Sequence, residues 1–98
     1  MKSFDFYIDN KYIIEFDGEQ HFHYNGYGWN TKDNFKKTIQ SDTIKNEYCF
    51  NHGIPIIRIP YHQKNLFNLN DLKLETTRFL LTKDNLKEYY KDRDSIGD

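Results

Sequence analysis

The sequence predicts an α/β fold in which a small mixed β-sheet is flanked by helices. Residues 4–8 and 11–16 are rich in β-branched and aromatic side chains and flank a two-residue turn, which predicts an N-terminal β-hairpin. Residues 33–51 carry apolar side chains at helical spacing. The short apolar run near 54–60 predicts a third strand, and strands before and after a long helix are typical of the α/β class.

The turn of the predicted hairpin consists of Asp9 and Asn10, two residues that tolerate the positive φ angles of a tight turn. Side chains alternate between the two faces of a strand, so Glu15 and Asp17 share one face of the second strand. We expect one face of this strand to be core and the other to carry the acids. The hairpin therefore delivers carboxylates to one side of the predicted sheet.

A long loop is predicted at residues 18–30, where three of the five glycines and four aromatic residues occur without a helical period. A loop of this length in so small a domain is usually functional. The helix at 33–51 begins next to two candidate capping residues, Thr31 and Asp33. Gly53 stands where a helix commonly ends in the left-handed conformation, which sets the predicted C-terminal boundary.

The rest of the chain predicts one strand and two further helices. Pro55 and Pro60 lie near the ends of the strand at 54–60 or place that strand on an edge of the sheet. Spaced leucine and phenylalanine side chains predict a second helix over 70–81, and a short third helix is predicted over 84–90. These elements complete a sheet with helices packed around it.

The size and composition of the chain fit one small folded domain. The sequence has 98 residues, of which 37% are hydrophobic and 30% are charged, so it contains enough apolar material for a single core. We interpret residues 1–92 as one domain and residues 93–98 as a frayed tail. A formal net charge of −1 predicts no general affinity for nucleic acids or membranes, so an anionic partner must be bound by a local patch.

The single cysteine, Cys49, excludes an internal disulfide and a zinc site built from several thiolates, as in proteins of reducing compartments. The sequence contains no signal peptide and no apolar run of about 18 residues that would span a bilayer. We therefore expect no membrane association and an intracellular location, in the cytoplasm or nucleoid of a host. The gene is expected to belong to a cell, a phage or a virus.

The acidic residues of the hairpin predict a metal site. In a hairpin of this length position 5 pairs near position 14, which brings Asp5 close to Glu15 on the neighbouring strand. Neighbouring carboxylates repel each other unless a cation lies between them. Oxygen ligands suit a hard divalent cation such as Mg²⁺, and the backbone carbonyl of Phe16 adds a further oxygen. We expect a metal held by Asp5, Glu15 and Phe16.

His21 follows the turn at Gly18, and its imidazole is suited to take a proton near neutral pH from a water molecule that a metal activates. Asp42 and Lys45 are three residues apart and therefore share a face of the predicted helix, which can lie against the hairpin. Phosphodiester hydrolysis requires an acid that orients the histidine and a cation that steadies the phosphate. Asp42 and Lys45 are the candidates for these two roles.

These motifs resemble a known nuclease family. The segments FDFYI and IIEFDGEQHF, the pair Asp42 and Lys45 with Tyr48 and Cys49 following, and the segment GIPIIRIPY are similar to the small nucleases of the very short patch repair type in the PD-(D/E)xK superfamily. The likeness is greatest to the phage homing endonucleases that are described by an E-D-x-H-D motif. The resemblance covers residues 3–62 and implies a restriction-endonuclease-like fold.

The resemblance implies a DNA endonuclease that depends on Mg²⁺ or Mn²⁺. It assigns Asp5 as the first metal-binding acid, Glu15 as the acid of the second strand and Phe16 as the carbonyl ligand. His21 matches the general-base histidine of the family, and Asp42 matches its final aspartate. Asp17 and Lys45 complete the predicted catalytic set, which consists of Asp5, Glu15, Asp17, His21, Asp42 and Lys45.

The chain departs from the family pattern at three points. Asp17 stands where many members of the superfamily have lysine, so Lys45 and the histidines must supply the missing positive charge. The leading glutamate of the motif lies on a helix before the first strand, whereas three residues precede Phe4 here. This implies a piece of a longer protein, a different residue in that role, or weakened activity. The single cysteine excludes the structural zinc site of the repair enzymes.

Candidate DNA contacts lie in the loop and at the start of the helix. Aromatic rings on a glycine-rich loop stack on bases or wedge between base steps, although these rings can equally fold back over the core. Neighbouring lysines, and Arg58 near the end of the third strand, are suited to phosphate contacts. The predicted DNA-binding residues are Gln20, His23, Tyr27, Trp29, Lys32 and Lys36.

Two other functions remain open on the sequence alone. The main alternative is a DNA-binding module that keeps the nuclease fold without activity, and the near-neutral charge favours dependence on a separate DNA-recognition domain or on a homodimer. A hydrolase of small phosphoesters is the third class. The acids of the hairpin are also compatible with an ordinary solvated strand face, because antiparallel strands often alternate polar and apolar residues.

Overall fold

The computed structural model describes residues 4–9, 11–28 and 31–95. These residues form one four-stranded sheet with two helices and several short 3₁₀ turns. In chain order the elements are strand β1 (Phe6–Ile8), strand β2 (Tyr12–Asp17), helix α1 (Lys32–Asn51), strand β3 (Ile56–Pro60), strand β4 (Leu80–Leu81) and helix α2 (Leu86–Tyr89). Within these described ranges no helix is long and apolar enough to cross a membrane.

The sheet is mixed and has the order β1-β2-β3-β4. Strand β1 runs antiparallel to β2, β2 runs parallel to β3 through the connecting helix α1, and β4 runs antiparallel to β3. This architecture confirms the predicted α/β class with a small mixed sheet. Across the parallel pair Glu15 lies beside Arg58, so the register already places a cation next to the acidic face of β2.

The predicted N-terminal hairpin is present, but its register differs by one residue, because Ile8 pairs with Tyr12 and not with Lys11. Tyr7 pairs with Ile13, and Asp9 has a φ of 49°, which the predicted turn requires. The second turn residue, Asn10, lies outside the described residues. The loop that follows β2 is not wholly irregular, because Glu19–His21 form a 3₁₀ turn directly after the strand. That turn fixes the direction in which the His21 side chain leaves the backbone.

Helix α1 begins and ends where its sequence signals indicate. The Thr31 side chain accepts a hydrogen bond from the backbone N–H of Asn34 at 3.2 Å, which satisfies one of the free donors of the first turn. At the other end Gly53 has a φ of 65°, a conformation that glycine adopts without strain. The predicted helix at 33–51 therefore differs from the observed helix by a single residue at its start.

Both faces of the sheet are covered. Ile13, Cys49, Ile56 and Leu81 form a core between the sheet and helix α1, and a second core on the opposite face contains Ile14, Ile57, Ile59 and Phe79. The acids of β2 belong to the first of these faces, where Glu15 and Asp17 are 3% and 2% exposed. The expectation of a core face opposite a separate acidic face is therefore wrong, since the acids lie in the interior.

The predicted helix over 70–81 is wrong. A 3₁₀ turn at Leu69–Leu72 is closed by a capping box between Asn68 and Asp71, and strand β4 follows at Leu80–Leu81. Local hydrogen bonds from such side chains compete with helix formation, which explains why the leucine spacing misleads.

The short helix predicted over 84–90 is present as α2. Strand β3 is an interior strand, so its prolines lie at its ends and not on a sheet edge.

Candidate active site

The candidate site lies between β2 and α1, where two groups of charged side chains meet. Glu15 and Asp17 point from β2 toward the helix, and Asp42 and Lys45 point from one face of α1 toward the strand. We call Asp5 and Glu15 the carboxylate pair. We call the larger group around the imidazole the histidine cluster, which consists of Asp17, His21, Asp42, Arg58 and Arg93.

The carboxylate pair is brought together by the hairpin. The backbone N–H of Asp5 donates to Oε2 of Glu15 at 3.2 Å, and Oδ2 of Asp5 accepts from the backbone N–H of Phe16 at 2.9 Å. Asp5 is exposed and Glu15 is buried, so the pair connects the surface to the interior. The sequence prediction that these two residues lie close together therefore agrees with the structure.

Electrostatics around Glu15 favour a cation. Burial raises the pKa of Glu15, the hydrogen bond from Lys45 lowers it, and the neighbouring Asp5 raises it again, with a net shift upward. Nζ of Lys45 lies 2.7 Å from Oε1 of Glu15. Lys45 was predicted to steady a phosphate, but the structure places its ammonium group against a buried carboxylate. The lysine therefore compensates part of the negative charge that the hairpin concentrates here.

The carbonyl oxygen of Phe16 faces the same side as Asp5. The N–H and C=O groups of one strand residue point to the same neighbouring strand, and the N–H of Phe16 bonds to Asp5. The N–H of Ile13 points the other way, toward the Pro55 carbonyl of the β3 side at 3.0 Å. Two carboxylates and a carbonyl are the hard oxygen donors that Mg²⁺ and Mn²⁺ prefer, so this donor set fits such an ion.

The His21 imidazole is held by Asp42. Nδ1 of His21 lies 3.1 Å and 3.0 Å from the two carboxylate oxygens of Asp42. An ionised carboxylate can only accept, so Nδ1 carries the proton and donates. Nε2 has no hydrogen-bond partner among the described residues, and the side chain is 21% exposed. The lone pair of Nε2 is therefore the part of the ring that is able to accept a proton.

The pKa shifts of this pair have opposite directions. Burial acts against the charged form of His21, but the hydrogen bond and the charge of Asp42 outweigh it and raise the pKa of His21 above its usual 6.5. Burial acts to raise the pKa of Asp42, but His21, Arg58 and Arg93 outweigh it and lower that pKa below its usual 3.8. Asp42 is therefore ionised at neutral pH and stabilises a protonated imidazole.

Arg58 occupies the centre of the histidine cluster and has no exposed surface. Its Nη1 lies 2.7 Å from Oδ1 of Asp17 and 3.6 Å from Oδ1 of Asp42, and its Nε donates to Asn46 at 2.9 Å. Its Nη2 is buried without a hydrogen-bond partner in the described part of the chain. The prediction of a phosphate contact for Arg58 is wrong, because a substrate cannot reach a side chain that is buried in this way.

Asp17 is a buried member of the same cluster. Its Oδ2 accepts a hydrogen bond of 2.5 Å from the hydroxyl of Tyr89, and its Oδ1 lies 3.6 Å from Nδ1 of His21. Burial and the charge of Asp17 raise the pKa of Tyr89, which keeps its hydroxyl protonated and able to donate. Asp17 therefore binds Arg58 and Tyr89 in the interior, and its carboxylate lies near the Nδ1 side of the His21 ring.

One metal-binding group of acids and imidazoles is geometrically possible within the histidine cluster. Ligand atoms of Asp17, His21 and Asp42 all lie within 4.8 Å of one another. The carboxylates of this group, however, already bind the guanidinium groups of Arg58 and Arg93. A divalent ion placed there would be repelled by two fixed positive charges. These three residues therefore do not fit a metal. In the carboxylate pair one ammonium group, that of Lys45, binds Glu15, and no ion pair to Asp5 is found in the described part of the chain.

The sequence did not predict the roles of several residues in this site. Arg93 was placed in a frayed tail, yet its Nη2 lies 2.5 Å from Oδ2 of Asp42. Tyr89 and Asn46 were also missed, although Asn46 lies one helical turn after Asp42 and so on the same face. The position of Arg58 inside the apolar run 54–60 was the available signal for its role. A buried strand accepts a cation only when that cation is paired with an acid, so the position indicates a buried ion pair.

The predicted DNA-binding residues are mostly placed around the loop and the first turns of α1. Gln20 and Lys32 are exposed, Lys36 is half-buried and Tyr27 is 80% exposed. Nδ1 of His23 lies 3.0 Å from Oδ1 of Asp94, so this imidazole is held by the C-terminal segment. Trp29 lies outside the described residues.

The neighbouring Tyr24 folds back over the helix. Its ring packs against Phe35 with centroids 5.0 Å apart, and Phe35 is a buried residue of α1. The two tyrosines of this loop therefore differ, because Tyr24 is half-buried against α1 and Tyr27 remains at the surface. Of these two tyrosines, only Tyr24 folds back over the core, which was the alternative to a base-stacking role for the loop aromatics.

Comparisons of this chain with protein-family models, with curated proteins and with solved structures found no match. The resemblance to very short patch repair nucleases therefore remains a prediction from short motifs. We base the functional inference on the geometry of the carboxylate pair and the histidine cluster, in which the residues singled out by the motifs lie on adjacent elements.

Proposed function

We propose that this protein is a metal-dependent DNA endonuclease with a restriction-endonuclease-like fold, in which His21 is the general base. The observation that carries the proposal is that one face of α1 binds both groups, since Asp42 holds His21 and Lys45 holds Glu15 of the carboxylate pair. A histidine oriented by a buried acid is the arrangement by which hydrolases take a proton from a nucleophile. The oxygen donors of the carboxylate pair would hold a divalent cation, to which a phosphoryl oxygen would bind.

The proton-transfer step follows from the tautomer of His21. Asp42 accepts from Nδ1, so Nε2 is free to take a proton from the water that attacks phosphorus. The imidazolium that forms is stabilised by Asp42 and by the more distant Asp17. Asp42 thus fixes the ring orientation and the tautomer, and His21 alone among the three touches the reacting water.

Asp5, Glu15 and the Phe16 carbonyl would hold Mg²⁺ or Mn²⁺, which when bound polarises a phosphoryl oxygen and offsets the charge of the transition state. Lys45 keeps one oxygen of Glu15 in place by its ion pair of 2.7 Å. Asp5 is fixed by the backbone N–H of Phe16, which orients its carboxylate toward the open side of the hairpin. These contacts pre-organise the oxygen donors before a ligand arrives.

DNA contacts are assigned to the surface beside the loop. Tyr27 is suited to stack on a base, Gln20 and His23 lie next to the catalytic histidine in sequence, and Lys32 and Lys36 are suited to phosphate contacts. A net charge of −1 gives this domain little general attraction for DNA, so we propose that a separate DNA-recognition domain or a second copy of the chain contributes to binding. We also propose that the protein acts inside a cell, in the cytoplasm or nucleoid.

The proposal is tested by nicking of supercoiled plasmid with Mg²⁺, with Mn²⁺ and with a chelator. Glu15→Gln removes one charge of the carboxylate pair, whereas Glu47→Gln makes the same change at an exposed position of α1 and serves as the control. We expect nicking that needs the metal and that falls at least about 100-fold in Glu15→Gln only. A wild-type protein that does not nick DNA in either metal contradicts the proposal.

A second candidate is a DNA-binding module without catalytic activity. The Lys45–Glu15 ion pair favours it, because Lys45 occupies a carboxylate oxygen that a metal would otherwise use. Such a module would bind DNA with a steep dependence on salt and would leave the phosphodiester bonds intact. Binding of a labelled duplex without nicking of the same duplex in either metal would select this function over the endonuclease.

A further inference from the structure

The C-terminal segment after α2 reaches back to the histidine cluster. Nε of Arg93 donates to the backbone carbonyl of His21 at 2.8 Å, and its Nη2 binds Asp42. The guanidinium group also lies 3.9 Å from the centroid of the Tyr90 ring, and the side chain is only 12% exposed. One side chain therefore contacts both the backbone of the general base and the acid that orients it.

The next residue, Asp94, holds the residues that follow His21. Its backbone N–H donates to the Phe22 carbonyl at 2.7 Å, and its Oδ2 accepts from the Tyr24 N–H at 3.1 Å. Its Oδ1 lies 3.0 Å from Nδ1 of His23. Backbone and side chain of this residue thus bind three consecutive residues of the loop, although the two segments are separated by about 70 positions in sequence.

Apolar packing joins the same two segments. The buried ring of Phe22 lies 5.7 Å from Tyr89 and 6.1 Å from Tyr90, measured between centroids. Strand β2 ends at Asp17, and only the short turn Glu19–His21 follows, so the loop has few regular backbone hydrogen bonds of its own. The position of the loop therefore depends on side-chain contacts, which are made with α1 by His21 and Tyr24 and with the C-terminal segment by Phe22 and His23.

We propose that Arg93 and Asp94 form a clasp that positions His21 and His23 for phosphodiester hydrolysis, an inference that rests on the proposed function. Both are positioning residues: Arg93 acts through His21 and Asp42, and Asp94 acts through His23 and the loop backbone. Misplacement of a catalytic group by about 1 Å lowers rates about 100-fold, so a clasp on an otherwise loosely bonded loop has a large effect on turnover.

The test uses the full chain with three variants and one control. Arg93→Gln removes both the charge and the fork of donors, Arg93→Lys keeps the charge, and Asp94→Ala removes the contacts to the loop. Lys91→Gln removes the same charge on the same segment, where the side chain is 60% exposed and pairs with the exposed Glu88. Each protein is assayed for single-turnover cleavage of a DNA duplex, for affinity for that duplex and by imidazole ¹H–¹⁵N spectroscopy.

We expect Arg93→Gln and Asp94→Ala to lower the single-turnover cleavage rate about 10- to 100-fold with the affinity for the duplex within about twofold of the wild-type value, as for other residues that support a catalytic group. Arg93→Lys should recover part of the rate, and Lys91→Gln should cleave at the wild-type rate. In the spectra, the ring proton of His21 should be on Nδ1 in the wild-type protein and distributed over both nitrogens in Arg93→Gln.

A wild-type rate together with an unchanged His21 tautomer in Arg93→Gln would overturn the clasp. If the wild-type protein cleaves no DNA, the endonuclease proposal fails, but the tautomer in Arg93→Gln still decides whether the clasp positions the imidazole. If Arg93→Gln does not fold, Arg93→Lys and the half-exposed Asp94→Ala decide, because loss of the Nδ1 proton preference of His21 or His23 supports the clasp and its retention rejects it.

Discussion

The His21–Asp42 pair sets how stability varies with pH. The pKa of His21 is raised above 6.5 in the folded protein, so its stabilising contribution is complete below that pH and is lost as the pH rises through the raised pKa. The pKa of Asp42 is lowered below 3.8, so its contribution is present above that pH and is lost as the pH falls through the lowered pKa. The pair is therefore most stabilising in mildly acidic solution.

Urea unfolding of the wild-type protein between about pH 5 and 9 checks this expectation. The free energy of unfolding should decline above pH 6.5 in the wild-type protein and in His52→Gln, an exposed control, but not in His21→Gln. Parallel pH profiles for His21→Gln and the wild-type protein would show that His21 does not gain its partner on folding. Because the base form is needed for catalysis, cleavage should instead increase through the raised pKa of His21.

Arg58 is the residue whose loss should destabilise the fold most. Arg58→Ala leaves the buried carboxylate of Asp17 without the guanidinium group that binds it and removes one of the two guanidinium groups beside Asp42. Loss of one partner of a buried ion pair typically costs about 3–5 kcal/mol of unfolding free energy. Arg78→Ala removes a guanidinium group that is 55% exposed and should cost at most about 1 kcal/mol. Urea denaturation of both variants measures the difference, and equal losses would contradict the central place of Arg58.

Among single residues, the sequence reveals the acids, the histidine and the pairing of His21 with Asp42, but not the arginines that bind these acids. Glu15, Asp17 and His21 follow one another along a strand and a turn, so their spacing alone indicates a site. Arg58 and Arg93 lie 41 and 51 positions away from the carboxylates that they bind. Such pairs depend on how β3 and the C-terminal segment pack, and no local pattern in the sequence encodes that packing.

The cap of α1 controls the element that carries Asp42. Thr31→Ala removes the acceptor for the Asn34 N–H and should lower the free energy of unfolding by about 1 kcal/mol. Thr43→Ala makes the same change at an exposed interior position of the helix and should be neutral or slightly stabilising, because alanine has the higher helix propensity. Thermal or urea unfolding tests the pair, and a Thr31→Ala protein as stable as Thr43→Ala would exclude a role for this cap.

The elements differ in how far their own sequence determines them. Helix α1 has a capping residue, a long apolar period and a glycine at its end, and each signal acts locally. Strand β4 has only the residues Leu80–Leu81 and exists because it pairs with β3. The pairing with β3 is not visible in the local sequence, so a helix was predicted over 70–81. The leucine spacing fits a helix as well as it fits a turn that is followed by a short strand.

For the whole molecule, the net charge sets what the proposed DNA binding would require. With a net charge of −1, binding must depend on local lysines and should weaken steeply with salt. Replacing Lys32 and Lys36 by glutamine should weaken binding about equally for all sequences and lower the salt slope by about one for each DNA phosphate that a lysine no longer neutralises. Fluorescence anisotropy with a labelled duplex measures this.

The matched control for DNA binding replaces Lys83 and Lys87 by glutamine, two exposed lysines next to or within α2. This double variant has the same charge as the first and should bind DNA with the wild-type salt slope. Equal losses of affinity in both double variants would show that overall charge, and not the surface at the start of α1, governs binding. Unchanged affinity in both would exclude that surface as the DNA contact.

The site as a whole is assembled from segments that are distant in sequence. The hairpin supplies the carboxylate pair, α1 supplies Asp42 and Lys45, β3 supplies Arg58, and the C-terminal segment supplies Arg93. The parallel pairing of β2 with β3 brings these parts together, because it places Arg58 beside Glu15 and next to the end of the strand that leads to His21. The fold class was predictable from the order of elements, whereas this convergence required the three-dimensional structure.

The central claim is that His21 acts as the general base in hydrolysis of DNA. The most direct test is the single-turnover rate of duplex cleavage in Mg²⁺ for the wild-type protein, His21→Gln and the exposed control His52→Gln at one pH above the raised pKa of His21. We predict that His21→Gln loses at least about 100-fold in rate with its DNA affinity retained, while His52→Gln cleaves like the wild-type protein. Cleavage by His21→Gln at the wild-type rate would contradict the claim.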